Sequence, residues 1–189
     1  MSKSQIIILF GRSGCGKGTQ AKLLIKDFGF EYLGSGVLLR ERNTKDDFTG
    51  RKLKEIMNKG DLVPTPIMFR VWAEKIEEMR EKIDKNGVII DGSPRALLEA
   101  ELMDYAFKWY GWENVKVVLL DLSEEEAFNR LIKRQRDDDN PNAIKERLAY
   151  FKKDVQPAID YYQEQGRLIK IDGNQSIEDV YHEIKKAIQ

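Results

Sequence analysis

The stretch Gly11-Arg12-Ser13-Gly14-Cys15-Gly16-Lys17-Gly18-Thr19-Gln20 carries the clearest chemistry in the sequence. Glycines let a backbone curl until successive N–H groups point inward at one anion. A helix expected to begin near Lys17 adds the positive end of its dipole. Lys17 supplies a compact charge suited to sitting between two phosphates of a nucleoside triphosphate. The general phosphate-loop pattern places Ser or Thr directly after the lysine, to hold magnesium. Here Gly18 stands at that position and Thr19 follows. Cys15 reads as a small filler of the loop, with an oxidation-sensitive thiol as the alternative.

Such a loop needs a strand in front of it and a helix behind. The run Ile6-Ile7-Ile8-Leu9-Phe10 ends in glycine and reads as a parallel strand buried on both faces. Residues 88–91, 115–121 and 168–171 read the same way. Between the strands lie amphipathic segments at 17–28, 65–83, 95–109, 123–134 and 141–165. A last helix is expected over about 177–188, with Ser176 as its N-cap. Thr65 is expected to cap its helix, with Pro66 in the first turn. Alternating strands and helices predict an α/β fold with a parallel sheet. Residues 34–63 are rich in charge and helix formers and look like a helical insertion after the second strand. Residues 135–142 look like a polar loop.

Composition bounds the function. The chain has 189 residues, enough for one domain with a sizeable core, and its 41% hydrophobic and 34% charged residues fit a globular protein. Lys+Arg and Asp+Glu both number 32, so the formal net charge is zero. That balance argues against a nucleic-acid binder but leaves room for a local basic pocket. The single cysteine excludes an internal disulfide, and no Cys/His cluster offers a zinc site. The apolar run at 6–10 is far below the roughly 20 residues of a membrane span. No signal-peptide pattern precedes it, so the expected location is cytoplasmic.

The Gly-Lys-Gly-Thr-Gln ending of the loop resembles the adenylate kinase and nucleoside monophosphate kinase family. Further blocks resemble it in order: Leu33-Gly34-Ser35-Gly36-Val37-Leu38-Leu39-Arg40-Glu41, Gly60-Asp61-Leu62-Val63-Pro64, Asp91-Gly92-Ser93-Pro94-Arg95, the arginines of 130–136 with Asp138 and Asp139, and Arg147-Leu148. The resemblance implies a P-loop NTPase-type three-layer fold: a five-stranded parallel sheet with helices on both faces. One kinase domain would span 1–189, with a core of 1–33, 64–134 and 143–189. A monophosphate-binding insertion would span 34–63, and a minimal lid 135–142. It implies phosphoryl transfer from Mg·ATP to AMP giving two ADP, magnesium as the cofactor without zinc, and no more than a monomer.

The same resemblance implies the roles of individual residues. Gly14, Cys15, Gly16, Lys17, Gly18, Thr19, Arg130, Arg134 and Gln175 would bind ATP. Ser35, Arg40, Asp61, Leu62, Val63, Gly92, Arg95, Glu99, Arg136 and Arg147 would bind AMP. Lys17, Arg95, Arg134, Arg136 and Arg147 would carry catalysis, and Asp91 would hold magnesium through water. Arginine suits the work because its planar fork meets phosphate oxygens in pairs. The acceptor oxygen of a monophosphate is already anionic, so no general base is needed, and His182 reads as a surface residue.

Four departures from the family pattern bear on substrate choice. Glu99 stands where glutamine is usual, and an ionised carboxylate can only accept hydrogen bonds. Ser35 replaces threonine, Val37 an aspartate, and Ser93 a phenylalanine. Only Gln135 separates Arg134 from Arg136, so the lid is clipped and a leak of ATP hydrolysis is expected. These features keep two alternatives open beside adenylate kinase: a kinase with CMP, UMP, GMP or a deoxynucleotide as acceptor, and a weakly active nucleotide-binding regulator. A small-metabolite kinase of the shikimate type fits poorly after residue 60.

Overall fold

The computed structural model describes residues 4–134 and 140–189. Five strands form one parallel sheet: β1 (Gln5–Phe10), β2 (Glu31–Gly34), β3 (Val88–Asp91), β4 (Asn114–Asp121) and β5 (Leu168–Asp172), in the order β2-β3-β1-β4-β5. β1 is central, aligning Ile7 with Ile89 of β3 on one side and with Lys116 of β4 on the other. The expected α/β architecture, with helices on both faces, is what the chain adopts.

Successive strand side chains point to opposite faces, and this splits the interior into two cores. Ile6, Ile8 and Phe10 of β1 face the first core, with Val117 and Leu119 of β4. There they meet α4 (Thr65–Asn86), α5 (Leu97–Tyr110) and α8 (Gln156–Glu164), and the core extends to α2 (Ser35–Arg42) and α3 (Phe48–Lys59). Ile7 and Leu9 face the second core, with Val118 and Leu120. This one is covered by α1 (Lys17–Phe28), α6 (Glu124–Arg134), α7 (Pro141–Tyr150) and α9 (Ile177–Ile188). Leu24 and Phe107, one in each core, are almost wholly buried, and such burial is worth about 1.5–3 kcal/mol per side chain.

Several boundaries differ from the sequence reading. Thr65 is not a cap: it lies inside α4, whose first bonds run from the Ile67 and Met68 N–H groups to the Pro64 carbonyl, and no side chain caps that end. α5 starts at Leu97 and not at 95, because Ala96 is held extended. The loop expected over 135–142 ends earlier, since Asn140 caps α7 by accepting from the Ala143 N–H and Pro141 is already helical. The segment expected as one helix over 141–165 contains a π-helical turn, Phe151–Val155, with the Gln156 N–H bonded to the Phe151 carbonyl. Ile144 and Leu148 before that turn belong to the second core, whereas Phe151, Val155, Ala158 and Tyr162 belong to the first. The wide turn is where the helix passes from one face of the sheet to the other.

The chain leaves β1 toward the second core through α1, and leaves the adjacent β3 toward the first core through α5. Neighbouring strands whose connections diverge to opposite faces open a crevice at their carboxyl ends, the usual binding position in such sheets.

Candidate active site

A cavity of about 590 Å³ opens at that crevice. Its floor is the loop after β1. Gly14 there has φ +87°, and a Cβ on it would fall 2.7 Å from the Ala127 carbonyl oxygen of α6, so only glycine fits. α1 begins after Gly16, and no side chain caps it. The Lys17 and Gly18 N–H groups are therefore available to an anion, while the Thr19 N–H bonds the Gly16 carbonyl at 2.9 Å. Lys17 Nζ donates to the carbonyls of Gly11 and Arg12 at 2.8 and 3.0 Å, which holds the ammonium over the loop.

Asp91, at the end of β3, lies across from this loop: a Cβ on Gly18 would be 3.9 Å from its Oδ2. The Tyr32 hydroxyl donates to the same Oδ2 at 2.9 Å. Four residues on, Arg95 Nε donates to the Gly92 carbonyl at 2.6 Å and Nη1 to the Tyr150 hydroxyl at 3.1 Å. Tyr150, then Glu99 and Asp91, hold Arg95 firmly in its charged form against the effect of burial. Arg40 comes from α2, Arg130 and Arg134 from α6, and Arg147 from α7; all four reach the cavity wall. Arg130 is steadied by Glu126 at 2.8 Å.

The charge on this wall decides what it can hold. Lys17, Lys22, Arg40, Arg95, Arg130, Arg134 and Arg147 line it, against the two carboxylates of Asp61 and Asp91. A chain with no formal net charge thus sets seven cations against two carboxylates on one concave surface. Such a surface suits a polyanion, with forked donors for phosphate oxygens. Opposite the floor, the end of α3 meets the start of α7. Asn140 Nδ2 donates to the Asn58 carbonyl at 3.2 Å, and Gly60 packs against the Ala143 backbone.

The sequence pattern of adenylate kinases matches residues 9–167. The chain belongs to the adenylate kinase family. An adenylate kinase from Thermus thermophilus is 33% identical over 192 residues, covering 100% of this chain and 99% of the relative. One from Prochlorococcus marinus is 37% identical over 182 residues, covering 96% and 97%. One from Oenococcus oeni is 34% identical over 188 residues, covering 100% and 98%. A member of this family is a phosphotransferase that uses ATP, and none of these relatives carries the name of another nucleotide kinase.

Against that frame the residues singled out in the sequence fall into three groups. Gly14, Gly16, Lys17, Gly18, Thr19, Arg40, Asp61, Val63, Asp91, Gly92, Arg95, Arg130, Arg134 and Arg147 share the cavity wall. Cys15, Ser35, Leu62, Glu99 and Gln175 are not part of that wall. Cys15 is buried beneath the loop, and the Gln175 amide donates to the Asp172 carbonyl and to Glu183. Glu99 is buried, its Oε2 accepting from the Arg95 N–H at 3.0 Å. Burial pushes its carboxyl up, opposed by the Ser93 hydroxyl and the Arg95 N–H. Arg136, Asp138 and Asp139 lie outside the described residues. His182 is exposed, as expected. Tyr32, Tyr150, Phe151 and Val155 line the cavity without having been picked out from the sequence. For the two tyrosines the signal is spatial: each bonds a motif residue more than 50 positions away.

Proposed function

We propose that this adenylate kinase moves the γ-phosphoryl group of ATP onto AMP, reversibly, giving two ADP, and that one cavity wall binds both nucleotides tail to tail. The observation that carries this reading is the cationic wall. It joins a phosphate-cradling loop on the second-core side to Arg40 and Arg95 on the first-core side.

In this reading the loop 14–19, through its open N–H groups such as those of Lys17 and Gly18, and the Lys17 ammonium hold the donor phosphates. Arg40 and Arg95 hold the AMP phosphate, and Arg134 and Arg147 stand over the transferring group; the resemblance gives Arg136, which lies outside the described residues, the same role. An anionic oxygen of AMP attacks the γ-phosphorus. A new P–O bond forms as the bond to the β–γ bridging oxygen breaks, and that oxygen leaves on ADP with its electron pair. No side chain needs to take a proton. The protein contributes alignment, charge and the exclusion of water. Alignment of two bound reactants alone can supply roughly 7–11 kcal/mol of the barrier.

Magnesium fits this site through one carboxylate. Asp91 faces the phosphate loop, and no cluster of three or more His, Cys, Asp or Glu side chains is found among the described residues. Asp91 would hold the ion through water. When bound, the ion supplies charge neutralisation between the β- and γ-phosphates. The contact between Asn58 and Asn140 supports an insertion, residues 34–63, and a short lid, residues 135–142, that close over the reactants. One chain supplies the whole described wall, so a monomer suffices. No helix among the described residues is long and apolar enough to cross a membrane, and a cytoplasmic enzyme is the simplest setting.

The deciding experiment is a coupled ADP-release assay with AMP, CMP, UMP, GMP and dAMP at equal concentrations. AMP is expected to give the highest kcat/KM. Faster turnover with a pyrimidine or guanine acceptor would replace AMP in this reading, and no turnover with any acceptor would end it.

A further inference from the structure

Two consecutive residues of the crossing helix reach the two halves of the cavity. Tyr150 ends α7, and its hydroxyl oxygen lies 3.1 Å from Arg95 Nη1. Phe151 opens the π-helical turn, and the Arg12 guanidinium stands over its ring, 4.7 Å from the centroid. Arg12 belongs to the phosphate loop, and its carbonyl accepts from Lys17 Nζ at 3.0 Å. Arg12 Nη1 also donates to the Leu122 carbonyl at 3.0 Å, which anchors that guanidinium beyond the end of β4. A cation held over an aromatic face is attracted to it, so the Phe151 contact ties the helix to the phosphate loop beside the point where Tyr150 meets Arg95. Tyr150 and Arg147 both line the cavity, three positions apart on one helix face.

A guanidinium can only donate, so the Tyr150 oxygen is the acceptor. Arg95 is then held at two of its three nitrogens, Nε by the Gly92 carbonyl at 2.6 Å and Nη1 by Tyr150. Nη2 has no hydrogen-bond partner among the described residues. The planar group cannot turn without breaking one of the two bonds, so the direction of Nη2 is set. Both holders are neutral. A carboxylate could fix the same plane, but it would offset the charge that a phosphate requires; Arg130, paired with Glu126, has that arrangement. The nearby Glu99 carboxylate accepts from the Arg95 backbone N–H and leaves the guanidinium to the phenol.

We propose that Tyr150 is a positioning residue for the acceptor phosphate: its hydroxyl oxygen fixes the Arg95 guanidinium with Nη2 open to the cavity and the charge undiminished. The proposal rests on the assignment of Arg95 to the acceptor phosphate. It makes α7 the source of two elements of the site, the Arg147 fork and the brace on Arg95.

The test uses the full chain and Tyr150→Phe, which keeps the ring and its packing and removes only the oxygen. A lost hydrogen bond to a charged group predicts a rise of roughly tenfold in the AMP KM. The factor should be the same for CMP and GMP, because the phosphate and not the base is gripped, and the ATP affinity read by calorimetry should stay within about twofold. An AMP KM that rises less than about threefold, or an ATP affinity that falls as much as the AMP affinity, overturns the proposal. Tyr150→Phe added to Arg95→Ala should be no worse than Arg95→Ala alone, because Tyr150 acts through Arg95. A further loss in that double variant means that Tyr150 acts by another route, and it also overturns the proposal.

Nitrogen NMR of the Arg95 guanidinium in the ligand-free protein gives a readout independent of turnover. Nη1 and Nη2 should give separate signals in the wild type, where rotation is hindered, and should merge in Tyr150→Phe. Signals that stay separate in the variant, or that are already merged in the wild type, sink the proposal even if the enzyme is active. The wild-type spectrum decides the contact if Tyr150→Phe does not fold. A wild-type chain that transfers no phosphate refutes the assignment of function instead, and the guanidinium spectrum still decides whether Tyr150 holds Arg95.

Discussion

Replacing Gly60 with alanine tests how the insertion meets the helix across the cavity. Gly60 ends α3 with φ +81°, a left-handed conformation that costs an L-residue about 1–2 kcal/mol. The new methyl would lie 2.5 Å from the Ala143 carbonyl oxygen, 2.7 Å from its Cα and 2.9 Å from its carbonyl carbon. All three are backbone atoms, so no side chain can swing aside, and α3 must back away from α7. Forced overpacking of that kind costs roughly 1–3 kcal/mol. The two terms together give about 2–5 kcal/mol, or roughly 4–20 °C in Tm for a chain of this size. Urea unfolding measures the stability, and steady-state kinetics should show higher KM for both nucleotides as the gap widens. A loss under about 1 kcal/mol with unchanged KM values would refute the packing argument, because even the backbone conformation should cost that much.

Other expectations concern single side chains. Arg95→Ala should lower kcat by roughly 10²–10³-fold while leaving ATP affinity, read by calorimetry, nearly intact; loss of ATP binding would mean that the two halves of the cavity are misassigned. Tyr32→Phe removes the donor to Asp91 and should raise the magnesium concentration for half-maximal ATP binding severalfold without moving the AMP KM, and superimposable magnesium titrations would exclude a role for Tyr32. Glu99 gives a pH signature. Its carboxyl is raised above the ordinary 4.5 by burial, so the native chain binds the proton more tightly than the unfolded one. That contribution to stability is complete below pH 4.5 and is lost as the pH rises through the native value. Relative to wild type, Glu99→Gln should therefore gain stability as the pH rises from 4.5 through the raised native value, and parallel stability curves would contradict the burial of a titrating group.

Local chemistry was legible from the sequence where it is contiguous. The Gly11–Thr19 loop announces itself because strand, glycines, lysine and helix follow one another within a few residues. Asp91 and Arg95 travel in one short block. What could not be read is chemistry made by distant pairs. Tyr32 with Asp91 and Tyr150 with Arg95 are 59 and 55 positions apart. Ser35 and Ser93 read one at a time as separate substitutions; their hydroxyls meet across 58 positions in one buried pair. The π-helical turn was invisible for another reason: one extra residue per turn barely disturbs an apolar period, so 141–165 reads as one helix. Thr65 was misread because a threonine beside Pro66 fits the capping rule, while the Pro64 carbonyl already starts the helix.

The sheet is also a bulkhead between two independently packed compartments. The guanidiniums assigned to the acceptor, on α2 and the loop after β3, are braced by the compartment around Ile8 and Trp72. Those assigned to the donor, with Lys17, are braced by the one around Leu9 and Leu24. Sequence drift on one side can therefore retune the grip on one nucleotide while the other stays as it was. The helix that crosses at Phe151–Val155 is the one helix among the described residues anchored in both compartments, through Ile144 and Leu148 on one side and Ala158 and Tyr162 on the other.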